Sequence, residues 1–249
     1  MLYLTGDTHG DWEERLSSLA FPEGKTLTKN DYVIVLGDFG IWDNSRQQKH
    51  ALDWLEKKPF TTLFLDGNHE NYDILDAYPV KEWHGGKVHF IRPSVIHLLR
   101  GQIFEIDGRS FFTFGGARCH DIKDGVLEAG DPRIKVWAKD TKKRFRVNHV
   151  SWWEREMPSL EEMEEGLRNL SAAGNQVDYI LTHCPYSALL ERMDGGCGFY
   201  RTDFLSDYLE KIEHATSYRY WFFGHMHENV MFQRERAVCL YEQIIPLEW

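Results

Sequence analysis

The chain lacks the features that mark export, membrane insertion or general nucleic-acid binding. No apolar run approaches the roughly 20 residues that a membrane helix needs. The segment Met1-Leu2-Tyr3-Leu4-Thr5-Gly6-Asp7 enters a strand at once and leaves no room for a signal or transit peptide. Cysteine is scarce: Cys119, Cys184, Cys197 and Cys239 are scattered singly. With no export signal they read as reduced thiols, and a cytoplasmic location is expected. Positive charge is also in deficit. A formal net charge of -10 argues against a general nucleic-acid or membrane-surface protein. No repeat, low-complexity segment or Pro/Gly/Ser-rich linker divides the chain. Its 249 residues are therefore read as one domain with a sizeable core.

What is present is a succession of short apolar runs. Leu2-Tyr3-Leu4-Thr5, Tyr32-Val33-Ile34-Val35-Leu36 and Thr61-Thr62-Leu63-Phe64-Leu65 read as buried strands. Helical patterns separate them, from Asp11 to Leu19 and from Asn44 or Ser45 to about Lys57, and a short helix follows from Asn71. The order β-α-β-α-β predicts a parallel sheet with right-handed crossovers. Residues 102–114 then read as a hairpin about Asp107-Gly108. Ser159 and Glu162 mark a helix start. Strands are expected over 177–181 and 218–223 with a helix at 204–212 between them, and 230–232 and 237–241 as a closing antiparallel pair. The expected fold class is α/β: two packed sheets in a β-sandwich flanked by helices, with ligand loops at one rim.

Five polar islands follow the apolar runs: Asp7-Thr8-His9, Gly37-Asp38, Gly67-Asn68-His69-Glu70, Thr182-His183 and Gly224-His225-Met226-His227. Together they offer the mixed oxygen and nitrogen donors that first-row divalent metals favour. Asp7 and His9 alternate about Thr8, so both can point the same way, and His225 and His227 repeat this about Met226. Asp38 is the natural bridging carboxylate. Asn68 adds a neutral carbonyl oxygen and His183 a further imidazole. His50, His84, His89, His97, His149 and His214 fall outside the islands and are read as structural.

With these five motifs the chain resembles the calcineurin-like metallophosphoesterases, and the resemblance runs over most of its length. It implies two divalent ions, manganese being expected, with iron, zinc, nickel or cobalt as alternatives. One ion would take Asp7, His9, Asp38 and His227, and the other Asp38, Asn68, His183 and His225. His69 would face the phosphate as general acid or charge stabiliser. The implied reaction is in-line attack on phosphorus by a hydroxide shared between the ions, with no phospho-enzyme. A nucleotide or another small phosphorylated compound is the expected substrate. A nuclease or phosphodiesterase acting on nucleic acid is the alternative, and an inactive binding scaffold is the non-enzyme reading.

The protein Ser/Thr phosphatases of the superfamily carry Asp-Arg-Gly after the second motif and an arginine before Gly-Asn-His-Glu. Here the second motif continues Asp38-Phe39-Gly40-Ile41-Trp42, and Asp66 precedes Gly67. A protein phosphatase is correspondingly disfavoured. Arg118 and His120, after the small residues Gly115-Gly116-Ala117, are the replacement candidates for phosphate binding. They open a charged insertion over about 116–148. From Arg118 to Arg146 it carries nine basic residues against five acidic ones. It is read either as a solvated loop or as a lid that attracts a polyanion.

Overall fold

The computed structural model describes residues 1–248. Its first sheet contains β1 (Leu2–Thr5), β2 (Tyr32–Val35), β3 (Thr61–Phe64), β4 (Val80–Trp83), β5 (Gly86–Arg92), β6 (Val95–Leu98) and, from the far end of the chain, β15 (Ile244–Pro246). The order is β15-β1-β2-β3-β6-β5-β4. The β1, β2, β3 and β6 strands run parallel, while β15 and the β4–β5 hairpin add antiparallel edges. The second sheet contains β7 (Gln102–Ile106), β8 (Arg109–Phe114), β11 (Tyr179–Thr182), β12 (Tyr220–Phe223), β13 (Val230–Phe232) and β14 (Ala237–Cys239). Its order is β13-β14-β12-β11-β8-β7, again with four parallel strands inside antiparallel edges. A parallel ribbon of β9 (Val126–Leu127) and β10 (Arg146–Val147) stands apart.

The apolar runs are continuous because each strand feeds two cores at once. In β2, Ile34 packs between the sheets, whereas Val33 and Val35 pack outward against α1 (Trp12–Arg15), α2 (Arg46–Glu56) and α3 (Tyr72–Leu75). In β12, Phe222 faces the other sheet, while Trp221 and Phe223 face outward. That outer layer is built by α5 (Leu160–Ala172), α6 (Ser187–Asp194) and α7 (Phe204–Ala215), with the single-turn α4 (Arg133–Trp137) out in the charged segment. The result is four layers, helix-sheet-sheet-helix, as the period-2 alternation requires.

The elements depart from expectation where local pattern is weak. The first helix stops at Arg15. Asp11 makes no capping bond, and Leu19 is 93% exposed. The β4–β5 hairpin, β6, α6 and β15 were not apparent in the sequence. At the sheet edge β4 is almost wholly exposed, so its residues carry no alternation. Elsewhere the local signals hold: Ser45 and Asn71 cap α2 and α3, and Ser159 and Glu162 form a reciprocal capping box on α5. No helix among the described residues is long and apolar enough to cross a membrane.

Candidate metal centre

All five islands lie just beyond the carboxyl ends of parallel strands, where open α/β sheets place their ligand sites. The turns after β1, β2 and β3 come from one sheet, and those after β11 and β12 from the other. Backbone bonds lock the turns together. His9 N–H donates to the Asp38 carbonyl at 2.8 Å, and Gly10 N–H to that of Phe39 at 2.9 Å. Close approach is obligatory here. A side chain at Gly37, whose φ is +96°, would overlap the His183 ring, and one at Gly67 would overlap the Asp38 carboxylate.

Four island residues adopt left-handed backbone: His9 (φ 48°), Asp38 (44°), His225 (64°) and His227 (51°). Such a conformation costs an L residue roughly 1–2 kcal/mol. Its recurrence at one rim shows that the surrounding hydrogen bonds, not local preference, set these side chains.

The side chains converge in two groups. Asp7, His9 and His227 each offer a ligand atom, all within 4.8 Å of one another, and so do Asp7, Asp38 and His183. In the first group His9 Nε2 and His227 Nε2 are 3.1 Å apart, and Asp7 Oδ2 lies 3.1 Å from His227 Nε2. In the second, His183 Nε2 stands 3.4 Å from Asp38 Oδ1 and 3.4 Å from Asn68 Oδ1. Asp7 belongs to both groups, and Asp38 lies beside both His183 and His9. Its Oδ1 faces His183, and its Oδ2 lies 3.8 Å from His9 Nδ1. The His183 ring is oriented from behind, because Nδ1–H donates to the Leu36 carbonyl at 2.8 Å and leaves Nε2 facing Asp38. His225 is buried, with its ring 5.0 Å from that of His183.

This donor set fits divalent metal. Asp7 Oδ2 is buried with no hydrogen bond of good geometry, a costly state for a carboxylate oxygen that no cation meets. Burial opposes charge on Asp38, but the positive field of His183, His69 and His9 outweighs it and holds the carboxyl well below its ordinary range. Burial likewise opposes a charge on His183, yet Asp38 and Asp7 push it up to about 9. A divalent ion would take the place of that proton, since its ligands are carboxylate and neutral imidazole.

His69 is held by a backbone bond, its N–H donating to Asp38 Oδ1 at 2.7 Å. Its ring lies 5.5 Å from that of His9, and burial, against the pull of Asp38, lowers its pKa. Arg118 is exposed, and His120 is half-buried with its ring 5.7 Å from that of His225. Both line a cleft of about 710 Å³ beside His225. Lys123, Arg144, Phe199, Tyr200 and Arg201 also line it. Sequence reasoning assigned none of the last three to the site.

Two supports were equally invisible. Glu70 is fully buried and accepts the amides of Phe39, Gly40 and Ile41, which fixes the turn carrying Asp38. Asp66, at the position where one branch of the superfamily has arginine, pairs with buried Arg100 at 2.5 Å and accepts from Tyr72 at 2.9 Å. The Tyr72 hydroxyl also bonds the Gly67 carbonyl, so this pair supports the Asn68–His69 turn. His89 and His97 belong to the same buried network, as the structural reading of them expects.

A two-sheet sandwich that gathers aspartate and histidine from its strand ends defines the metallophosphoesterase class of folds. Residues 2–229 match the family model for calcineurin-like phosphoesterases, and the chain belongs to that family of metal-dependent phosphoester hydrolases. It is 26% identical over 138 residues to lariat debranching enzyme A of Xenopus laevis, covering 49% of this chain and 25% of that protein. It is 24% identical over 139 residues to the lariat debranching enzyme of Danio rerio, covering 49% and 23%. The matched part thus spans about a quarter of these relatives' length. Among solved structures it is similar to a Staphylococcus aureus protein described as a 5'-nucleotidase, in complex with alpha-ketoglutarate, at TM-score 0.45 and 14% identity, covering 96% and 48% of the two chains. It is also similar to the phosphopantetheinyl hydrolase of Mycobacterium tuberculosis, at TM-score 0.42 and 15% identity, covering 96% and 87%.

Proposed function

We propose that this chain is a dinuclear metal-dependent phosphoesterase that hydrolyses a nucleotide or another small phosphorylated compound. The observation that carries the reading is the convergence at one rim of two ligand groups, Asp7, His9 and His227 and Asp7, Asp38 and His183. Asp7, His9, Asp38 and His227 would hold one ion, and Asp38, Asn68, His183 and His225 the other. Two such ions, manganese in our reading, would lower the pKa of a bound water and offset charge on the phosphoryl oxygens.

The protein's own groups do the rest. Asp38 fixes His69 through its backbone N–H. Burial favours neutral His69, which suits a group that donates a hydrogen bond to the leaving oxygen, while proton transfer to that oxygen would need the protonated ring. Water attacks phosphorus directly, and no side chain becomes phosphorylated. Arg118 and His120 contact the phosphate from the cleft, and Asn68 binds it from the metal centre. Residues 1–249 act as one domain, and 116–148 flank the cleft.

A second reading, hydrolysis of a nucleic-acid phosphodiester, rests on the cations along the cleft. One experiment separates the readings. The metal-free chain is assayed with Mn²⁺, Fe²⁺ or Zn²⁺ on an aryl phosphate monoester, an aryl phosphate diester and a single-stranded oligonucleotide. Metal-dependent turnover of the monoester above the others is expected. Preference for the oligonucleotide selects the second reading, and no turnover of any substrate rejects both in favour of a binding scaffold.

A further inference from the structure

The cleft beside His225 gathers several basic side chains that make no ion pair among the described residues. In the charged segment Lys143 pairs with Asp124 at 2.6 Å, Arg146 with Asp121 at 3.0 Å and Arg133 with Asp131 at 2.6 Å, while the unpaired Lys135, Lys139 and Lys142 lie outside the cleft. In the cleft, Arg118, Lys123 and Arg201 have no carboxylate within ion-pairing distance among the described residues. Asp203 is the one carboxylate in the lining, and it is engaged in capping α7 through the amides of Leu205 and Ser206. Three cations without an ion pair face one space in a chain of net charge -10.

The same space holds exposed aromatic surface. Phe199 is 47% exposed. Its ring lies 4.9 Å from that of Tyr200 and 4.9 Å from that of His120, which in turn stands 5.7 Å from the ring of His225. A row of rings therefore leads from the metal centre to the cleft mouth, with the cations beside it. Arg144 extends the row, its guanidinium 5.9 Å from the Phe199 ring centre. An exposed ring next to cations that make no ion pair matches a ligand that is both planar and multiply anionic. The volume of about 710 Å³ suits one small molecule rather than a polymer strand.

We propose that this cleft is a subsite for a nucleoside polyphosphate, in which Phe199 and Tyr200 take the base and Lys123 and Arg201 take a phosphate beyond the one hydrolysed, with Arg118 on the reacting phosphate. The proposal rests on the phosphoesterase reading above and names its substrate class. It gives the sandwich two adjoining regions, a metal rim for the reacting phosphorus and a basic, ring-lined wall for the remainder of the substrate.

The test is titration calorimetry of the manganese-loaded full chain with three probes: α,β-methylene-ADP, methylenediphosphonate and adenosine. The ADP analogue is expected to bind roughly five- to 150-fold more tightly than methylenediphosphonate, the range of one base stacked on an aromatic side chain. It should also bind at least tenfold more tightly than adenosine. Phe199→Ala should bring the analogue's affinity down toward that of methylenediphosphonate, and Phe199→Trp should restore it. Lys123→Ala with Arg201→Ala should weaken both anionic probes and flatten their salt dependence. These side chains are outside the core, and unchanged thermal unfolding will show that the variants fold. Equal binding of the analogue and methylenediphosphonate, or an unaltered Phe199→Ala variant, overturns the proposal, as does tighter binding of a ten-residue oligonucleotide. Turnover of the aryl monoester is measured in parallel. If the probe contrasts hold without turnover, the hydrolase reading fails and the subsite stands. If turnover holds without the contrasts, only the subsite fails.

Discussion

At the scale of single residues, Asp38 and His69 are neighbours with different consequences on substitution. Asp38 belongs to one ligand group and lies beside His9 of the other, so Asp38→Asn should lose bound metal and activity together. His69→Asn should keep its metal while kcat falls by about 10²–10⁴-fold, the usual contribution of a positioned acid or base. Metal content by atomic absorption, measured beside turnover, separates the two, and full hydrolysis by Asp38→Asn would overturn the site assignment. Glu156 shows what burial does to a carboxyl away from the ligands. It accepts the Cys119 amide at 2.8 Å, its other oxygen has no hydrogen bond of good geometry, and burial raises its pKa from 4.5 to about 8. Between those values the folded chain holds a proton that the unfolded chain has released. The contribution to stability is therefore complete below pH 4.5 and declines as pH rises through 8. Glu156→Gln should remove that decline, on the order of a few kcal/mol. Urea unfolding at pH 5 and pH 8.5 measures it, and an equal pH response in both proteins contradicts it.

Among the elements, the strongest local signals are those in which side chain and backbone satisfy each other. Ser159 Oγ accepts the Glu162 amide at 3.2 Å, and the Glu162 carboxylate returns to the Ser159 N–H at 2.8 Å. Glu162 also binds Arg155, tying the start of α5 to the preceding turn. Ser159→Ala should cost about 1 kcal/mol, read as a lower urea midpoint at constant slope. The central strands were legible for a different reason. Buried on both faces, β2 and β12 need apolar residues at every position. Exposed β4 and the single-turn α1 have no such requirement, and their extent is decided by what packs beside them.

Across the whole molecule, the two sheets bring buried acid and strained backbone to one rim, and a bound cation offsets both. Removing metal with a chelator should lower Tm by several degrees, and returning it should restore Tm. Ligand at 100 times its Kd stabilises the folded state by about 2.7 kcal/mol per site, and each kcal/mol moves a domain of this size by roughly 2–4 °C. Differential scanning calorimetry tests this, and an unchanged Tm would show that no metal binds the folded state. The five islands were legible because metal ligation demands particular residue types and the parallel topology puts them after strands. The cleft wall was not. Arg118, Lys123, Phe199 and Arg201 come from segments some 80 residues apart, and only the folded chain places them on one cavity. Glu70 was visible as a motif residue, but its bonds to three amides of another loop were not.

The sequence by itself determined the family resemblance, the two-sheet class and the polar residues at the strand ends. Apolar runs and metal-ligand chemistry are local requirements, and a chain states them in order. The tertiary structure alone decided that Asp7 joins the two ligand groups with Asp38 beside His183 and His9, that Asp66 is a buried partner of Arg100, and that cations and rings face one cleft. Each of these is a distance between segments far apart along the chain, set by how the two sheets pack.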